Sequence, residues 1–317
     1  MIAVYSTALT LPFRGLTSRD GVLLRGPAGW GEFSPFWEYD DAPCVPWLRA
    51  AVEAATQAFP DPLRDRVAVN VTVPAVDAAT ARGIVARSGC GTAKVKVAQA
   101  GQSLADDLDR VAAVRDALGP AGHLRVDANA AWSLDDARRA LPALDRAARG
   151  LQYAEQPVAA VADLARLRRA VGVPLAADES IRRAADPYEV KRLDAADVVV
   201  LKVQPLGGVR ACLRLAHDIG IPVVVSSALE SSVGIAAGVA LAAALPGIGL
   251  ASGLATVQLF ATPVTSEPLL PTDGYLPIVR VTPDRIPPAD PALTARWHER
   301  LGRVARLAGI DLAAVLQ

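Results

Sequence analysis

Three acidic residues end three successive apolar runs: Asp127 in HLRVDANAAW, Glu155 in LQYAEQP and Asp178 in VPLAADES. The steps are 28 residues (127 to 155) and 23 residues (155 to 178). Lysines flank the set at the same kind of position. Lys94 and Lys96 lie in TAKVKVAQ, with Lys96 31 residues before Asp127, and Lys202 lies in VVVLKVQP, 24 residues after Asp178. Carboxylates brought together repel until one takes a proton or a cation binds. An all-oxygen set suits Mg²⁺, with Mn²⁺ as the second choice, rather than zinc. The three histidines add nothing to a zinc case: His123 starts a strand, His217 lies in a helix and His298 in the C-terminal segment. Lysines beside one another and beside a metal lose some of their affinity for a proton, so one of them could serve as a base. A metal-bound carboxylate makes its neighbouring C–H more acidic, because the metal stabilises the enediolate. The residue types therefore point to a divalent metal and proton transfer.

A step of this size fits one βα unit. From residue 67 short β-branched runs alternate with Ala-, Leu- and Arg-rich helical stretches. The runs are 67–73, 92–97, 123–128, 151–156, 173–179, 197–203, 221–227 and 247–252. Near-continuous apolar runs suit parallel strands covered on both faces. Eight of them alternating with helices predict an α/β protein with a (β/α)8-type barrel. A doubly wound sheet would show a Gly-rich phosphate turn after an early strand, and none is present. Ser103 with Asp106 and Ser133 with Asp136 read as helix starts of the capping-box kind. In a barrel the site sits at the C-terminal strand ends, where all of the acids and lysines fall. Lys94 and Lys96 alternate with Val95, so both face the barrel mouth. Arg125, two residues before Asp127, faces the interior by the same rule.

Residues 1–66 break the alternation. AVYSTALTL and DGVLLRGPAGWGEFSPF read as antiparallel strands, and CVPWLRAAVEAATQAF as a helix. DPALTARWHERLGRVARLAG near the end is again helical. The expected division is a cap at 1–66, a barrel at 67–280, and a C-terminal segment at 281–317 that packs with the cap.

The 317 residues are 52% hydrophobic and 21% charged, enough to bury a large core. A net charge of zero argues against a general nucleic-acid or anionic-membrane binder. Cys44, Cys90 and Cys212 are far apart and form no CxxC, which predicts free thiols in a reducing cytoplasm. The opening MIAVYSTALTLPFRG has no basic region followed by a long apolar one, so no secretory signal is expected. The apolar stretch 234–255 is rich in Ala and Gly and broken by Pro246; a buried helix followed by a buried strand accounts for it. A small-molecule carboxylate is the expected partner, with no nucleic acid and no membrane. The sequence does not decide between a monomer and a homo-oligomer.

Any one of these charges alone is better read as a helix cap or a solvated pair. Five at corresponding positions of consecutive strands are not. Lys94 is the member most easily read as tuning its neighbour. Glu179 is expected to pair or cap nearby rather than bind metal. Asp106, Asp107, Asp109 and the Arg pairs read as solvated helix faces, and Trp30, Trp37 and Trp47 as packing residues.

The order KVK, DAN, EQP, DES and LK, with a cap built from both termini, resembles the enolase superfamily over nearly the whole chain. Metal-assisted enediolate chemistry with a Lys or His base is that superfamily's known pattern and comes with the resemblance. The resemblance implies a modified TIM barrel of (β/α)7β type with a small α+β capping domain. Lysines on the second and sixth strands are similar to the muconate-lactonizing branch; the seventh strand ends in VVVSSALESS, without the His of the mandelate-racemase branch. Near the eighth strand GLASGLATVQ lacks the Asp-x-Asp pair of dipeptide epimerases. SSALESSVG and GLASGLAT look most similar to the branch's dehydratases of menaquinone biosynthesis. N-acylamino-acid racemases and muconate-type cycloisomerases are the near alternatives, and a non-catalytic metal-binding barrel the distant one.

The roles that follow from the resemblance are these. Asp127, Glu155 and Asp178 hold Mg²⁺, and Lys96 takes the α-proton and then helps the β-hydroxyl leave as water. Lys202 stabilises the enediolate from the opposite face through charge and cation–π contact. Lys94 lowers the pKa of Lys96, and Asn129 supports the metal shell. Ser226, Ser227, Gly253 and Arg125 are candidates for substrate contact. The N-terminal segment is expected to supply a loop over the site near residues 14–20.

Overall fold

The computed structural model describes residues 1–247 and 249–317. Among these, the strands are β1 (Ile2–Phe13), β2 (Leu16–Gly26), β3 (Gly29–Phe33), β4 (Arg66–Ala68), β5 (Val71–Val73), β6 (Thr92–Lys96), β7 (His123–Asp127), β8 (Tyr153–Glu155), β9 (Leu175–Ala177), β10 (Val198–Leu201), β11 (Val223–Val225) and β12 (Tyr275–Pro277). The helices are α1 (Val45–Thr56), α2 (Ala78–Ser88), α3 (Leu104–Leu118), α4 (Leu134–Ala148), α5 (Val161–Arg168), α6 (Glu179–Arg182), α7 (Glu189–Arg192), α8 (Val209–Ile219), α9 (Ser232–Ala244), α10 (Pro291–Ala308) and α11 (Leu312–Val315).

Strands β5 to β11 form one parallel sheet in chain order. The strands are short, and β8, β9 and β10 are buried at every residue. That burial on both faces is what a helix-covered parallel sheet demands. Helix α3 opens with the full Ser103/Asp106 capping box, and at α4 Ser133 accepts from the Asp136 amide. Helix α9 is buried along nearly its whole length, as its Ala- and Gly-rich composition predicts.

Two expected strands come out differently. The run 67–73 divides: β4 pairs antiparallel with β12, and only β5 enters the barrel. The run 247–252 forms no regular strand among the described residues, and residue 248 lies outside them. Its Gly-rich sequence lacks the side chains that make a strand pack. Ser252 and Gly253 close the barrel instead. Ser252 N donates to Ala68 O and Asn70 N to Ser252 O. Gly253 N donates to Val225 O and Ser227 N to Gly253 O. The eighth stave is thus a pair of bridges between β11 and the β4–β5 segment.

Strands β1, β2 and β3 form a separate antiparallel sheet. The Trp297 indole of α10 packs edge-on to Phe33 at 5.9 Å and against Trp37 at 4.5 Å. Both indole N–H groups donate to Asp20 Oδ1. Burying such a ring removes on the order of 200 Å² from water, worth about 5 kcal/mol before ordering entropy. Trp47 joins Phe36 and Tyr39 in another aromatic cluster, and Trp30 packs against the core. Asp107 and Arg110 are not solvated: both are buried and paired at 2.8 Å. Asp107 accepts from Ala98 N, and Arg110 donates to Lys96 O at 2.9 Å, so α3 holds the end of β6 in place.

Candidate active site

Parallel register sets the level of each charge. Lys96 lies opposite Asp127, and Asp127 opposite Glu155. Two residues lower, Lys94 lies opposite Arg125, and Arg125 opposite Tyr153. Asp178 follows β9, and Lys202 follows β10. Strands β6 and β10 are four places apart in a barrel with eight staves, which is half a turn. Lys96 and Lys202 therefore face each other across the mouth.

The three carboxylates are almost fully buried, and cations meet all of them. Lys94 Nζ lies 2.8 and 2.9 Å from the two Glu155 oxygens and 3.2 Å from Asp127 Oδ2. Lys96 Nζ donates to Asp127 Oδ2 at 2.5 Å and to Asn129 Oδ1 at 2.6 Å. Lys202 Nζ donates to Asp178 Oδ2 at 2.6 Å, and Arg182 Nε to Asp178 Oδ1 at 2.9 Å. Among the described residues no three His, Cys, Asp or Glu side chains converge as closely as metal ligation requires; the ammonium groups are the cations these acids hold. The donors are nonetheless all carboxylate oxygens, which fits a hard divalent ion.

Position sets the proton affinities. Burial pulls Lys96 below its ordinary value; the Asp127 carboxylate opposes this and the Lys94 charge adds to it. Burial works against charge on Lys94 too, but Glu155 and Asp127 outweigh it and hold Lys94 well above its usual value. Burial and the Asp127 charge push Glu155 up to about 7. Burial would raise Asp178, yet Lys202 and Arg182 hold it down at about 2.

The backbone around Asp178 is fixed by Gln156 of the EQP segment. Its Oε1 accepts from Asp178 N and Ser180 N, and its Nε2 donates to Val158 O and Ser180 Oγ. Asn129 sits at φ +46° and its amide N–H donates to Asp127 Oδ1.

A cleft opens above this set. Lys94, Lys96, Asp127 and Asn129 line one side, Lys202 and Arg182 the other. Ser226, Ser227, Ala228, Leu229 and Gly253 form a third wall. The turn between β1 and β2 brings Phe13 and Arg14 over the opening, with Phe36 from the segment after β3. Of the expected loop 14–20, only Arg14 lines the cleft. Glu155 and Asp178 lie behind the lysines. Gly253 leaves room where a Cβ would come within 2.5 Å of Ser226 Oγ.

Arg125 is not brought to the cleft. Its guanidinium donates to Gln152 Oε1, Asn70 Oδ1 and Ala251 O and lies over the Tyr153 ring at 4.7 Å. It faces the interior as alternation requires, but one level below the mouth, so the expected substrate contact is withdrawn. Glu179 pairs with Arg182 and accepts from Asn129 Nδ2.

The sequence reading missed Arg182, Phe13 and Phe36. Arg182 stands four residues after Asp178, a helical step that puts it back over the carboxylate. The two aromatics carry no comparable signal, since a cap turn reaches the barrel only through tertiary packing.

The Enolase C-terminal domain-like family model matches residues 76–285, and the Enolase N-terminal domain-like model residues 4–55. An o-succinylbenzoate synthase of Thermobifida fusca (strain YX) is 57% identical over 94% of this chain and 93% of its own length. Another, from Mycobacterium tuberculosis (strain ATCC 25618 / H37Rv), is 54% identical over 89% and 85%.

The chain belongs to the o-succinylbenzoate synthase family of the enolase superfamily.

Two solved structures of that superfamily share the fold. A substrate-liganded L-Ala-D/L-Glu epimerase from Bacillus subtilis has a TM-score of 0.75 at 23% identity, covering 88% of this chain and 95% of that one. A dipeptide epimerase from Enterococcus faecalis V583, complexed with Mg and the dipeptide L-Leu-L-Tyr, has a TM-score of 0.73 at 21% identity, covering 89% and 97%. The modified barrel and its cap thus belong to the family's architecture, and the chain is that of a lyase family.

Proposed function

We propose that this chain dehydrates 2-succinyl-6-hydroxy-2,4-cyclohexadiene-1-carboxylate to o-succinylbenzoate in menaquinone biosynthesis. The observation that carries the reading is the Lys96–Lys202 pair, half a turn apart in a chain 57% identical to an o-succinylbenzoate synthase. A racemase or cycloisomerase of the same branch would use the same pair. A barrel keeping a metal only for structure would not need it.

Asp127, Glu155 and Asp178 would hold Mg²⁺, or Mn²⁺ on the same oxygens, which when bound supplies the positive charge that acidifies the C–H beside a carboxylate. Lys96, with its affinity for a proton reduced, takes the α-proton at Nζ. The electron pair of that C–H bond passes first into the carboxylate, giving the enediolate, and then forms the new ring double bond as the β-C–O bond breaks. The Lys96 ammonium returns a proton to the departing hydroxyl, which leaves as water. Lys202 stays a cation on the opposite face, steadied by Asp178, and stabilises the enediolate. Lys94 keeps Glu155 and Asp127 in place and discourages a second ammonium at Lys96. Asn129 orients Lys96, and Ser226, Ser227 and Gly253 form the wall for the substrate's carboxylates or succinyl tail. Because the product ring is aromatic, the elimination is strongly downhill and needs few polar groups.

In this reading residues 1–66 and 281–317 form the cap around the 67–280 barrel, a division that the Trp297 contacts support. The buried free thiols Cys44, Cys90 and Cys212 suit a reducing cytoplasm. No helix among the described residues is long and apolar enough to cross a membrane. The test is direct assay of o-succinylbenzoate formation by the purified enzyme with Mg²⁺. Absence of product, with racemisation of N-succinyl amino acids, would replace the reading.

A further inference from the structure

We propose that Arg19, a buried residue of cap strand β2, positions the 226–229 wall of the cleft and so sets how tightly substrate is held. The inference rests on the cleft being the substrate site.

Arg19 is only 3% exposed, and none of the ion pairs among the described residues includes it. A buried guanidinium must find acceptors. Arg19 finds them on main-chain carbonyls from both sides of the cap–barrel boundary. On the cap side Nη2 donates to Ser34 O, and Nη1 to Asp20 O at 3.1 Å. On the barrel side Nε donates to Leu229 O at 2.8 Å, and Nη2 reaches Ala228 O at 3.4 Å. Its Cζ also lies 4.6 Å from the centroid of the Phe36 ring. Ala228, Leu229 and Phe36 all line the cleft. One side chain outside the cleft therefore bonds one of its walls and packs against the Phe36 ring over its opening.

The wall needs such support. Leu229 holds φ +63°, a left-handed conformation that a bulky residue keeps only when its surroundings impose it. The restraints stand on each side of it. Glu230 Oε2 accepts from Ala228 N at 2.6 Å. Glu32 of β3 accepts from Ser231 N, Ser231 Oγ and Gly234 N, and so caps the start of α9. Arg19 alone of these bonds Leu229 itself. The planar fork can span Leu229 O and Ser34 O together, which a lysine ammonium cannot do with the same reach.

The experiment compares wild type, Arg19→Lys and Arg19→Met by hydrogen exchange and by steady-state kinetics at saturating Mg²⁺. Amides of residues 226–231 should exchange faster in both variants while those of β7 to β9 do not change. KM should rise about tenfold in Arg19→Met and less in Arg19→Lys, with kcat within about threefold of wild type, as loss of a positioning bond predicts. Unchanged exchange at 226–231, or a KM within about twofold of wild type in both variants, would overturn the proposal. So would a fall in kcat with KM held. Arg19→Lys keeps the buried charge and decides the matter if Arg19→Met does not fold. A wild type without dehydratase activity would count against the proposed reaction, whereas the exchange measurement still judges Arg19.

Discussion

Lys96 and Asp127 stand directly opposite each other on neighbouring parallel strands, and their side chains meet at 2.5 Å. The candidate base is thus paired with a candidate metal ligand. A positive charge taken up by Asp127 would weaken that pair and make the lysine less willing to hold its proton.

Replacing either lysine should abolish dehydration. In Lys96→Ala and Lys202→Ala, kcat should fall by roughly a thousandfold or more, within the range for loss of a general base or a fixed cation. Circular dichroism should show both variants folded. Appreciable activity in either one would defeat its assignment.

Asp178→Asn should weaken metal binding and activity together. Titrating rate against Mg²⁺ should show a right-shifted curve, and calorimetry a matching loss of affinity. The change also leaves Lys202 without its acid and Arg182 with Glu179 alone, and breaking a buried pair costs about 3–5 kcal/mol, so the melting temperature should drop. Wild-type metal dependence would remove Asp178 from the ligand set.

Gly253→Ala should narrow the cleft. The new methyl would press on Ser226 Oγ, so KM should rise several-fold with little change in melting temperature. A variant with unaltered KM would mean that substrate does not reach this wall.

The buried Glu230 carboxyl is pushed up to about 7 by burial and by the Glu32 charge, with Arg19 opposing. Its folded value lies above its unfolded one, so the stabilisation is complete below the unfolded value and is lost as pH rises through about 7. Glu230→Gln removes this term while keeping an acceptor for Ala228 N. Relative to wild type, the variant should gain stability between pH 5 and pH 8, by about 3 kcal/mol at most. Urea titrations at the two pH values would measure it; a difference that does not grow with pH would show that Glu230 is already ionised.

The barrel was legible because buried parallel strands are written as β-branched runs, and the acids and lysines repeat at their ends. The run 247–252 reads as a strand and is not a regular one, because an apolar Gly-rich run resembles a buried strand by composition while lacking the side chains to pack as one. Asp107 reads as a solvated charge in the sequence, since nothing in a helical face announces that its polar side will cover a strand end. Arg125 was placed on the right face and at the wrong height, because alternation gives direction but not depth. Arg19 and Phe36 carry no local signal; their place depends on how the cap seats on the barrel.

The most direct test of the account incubates purified enzyme and Mg²⁺ with 2-succinyl-6-hydroxy-2,4-cyclohexadiene-1-carboxylate, beside an N-succinyl amino acid as the racemase substrate. o-Succinylbenzoate should form, its formation should stop with a chelator, and none should appear in Lys96→Ala. Racemisation without dehydration, or dehydration that survives in Lys96→Ala, would contradict it.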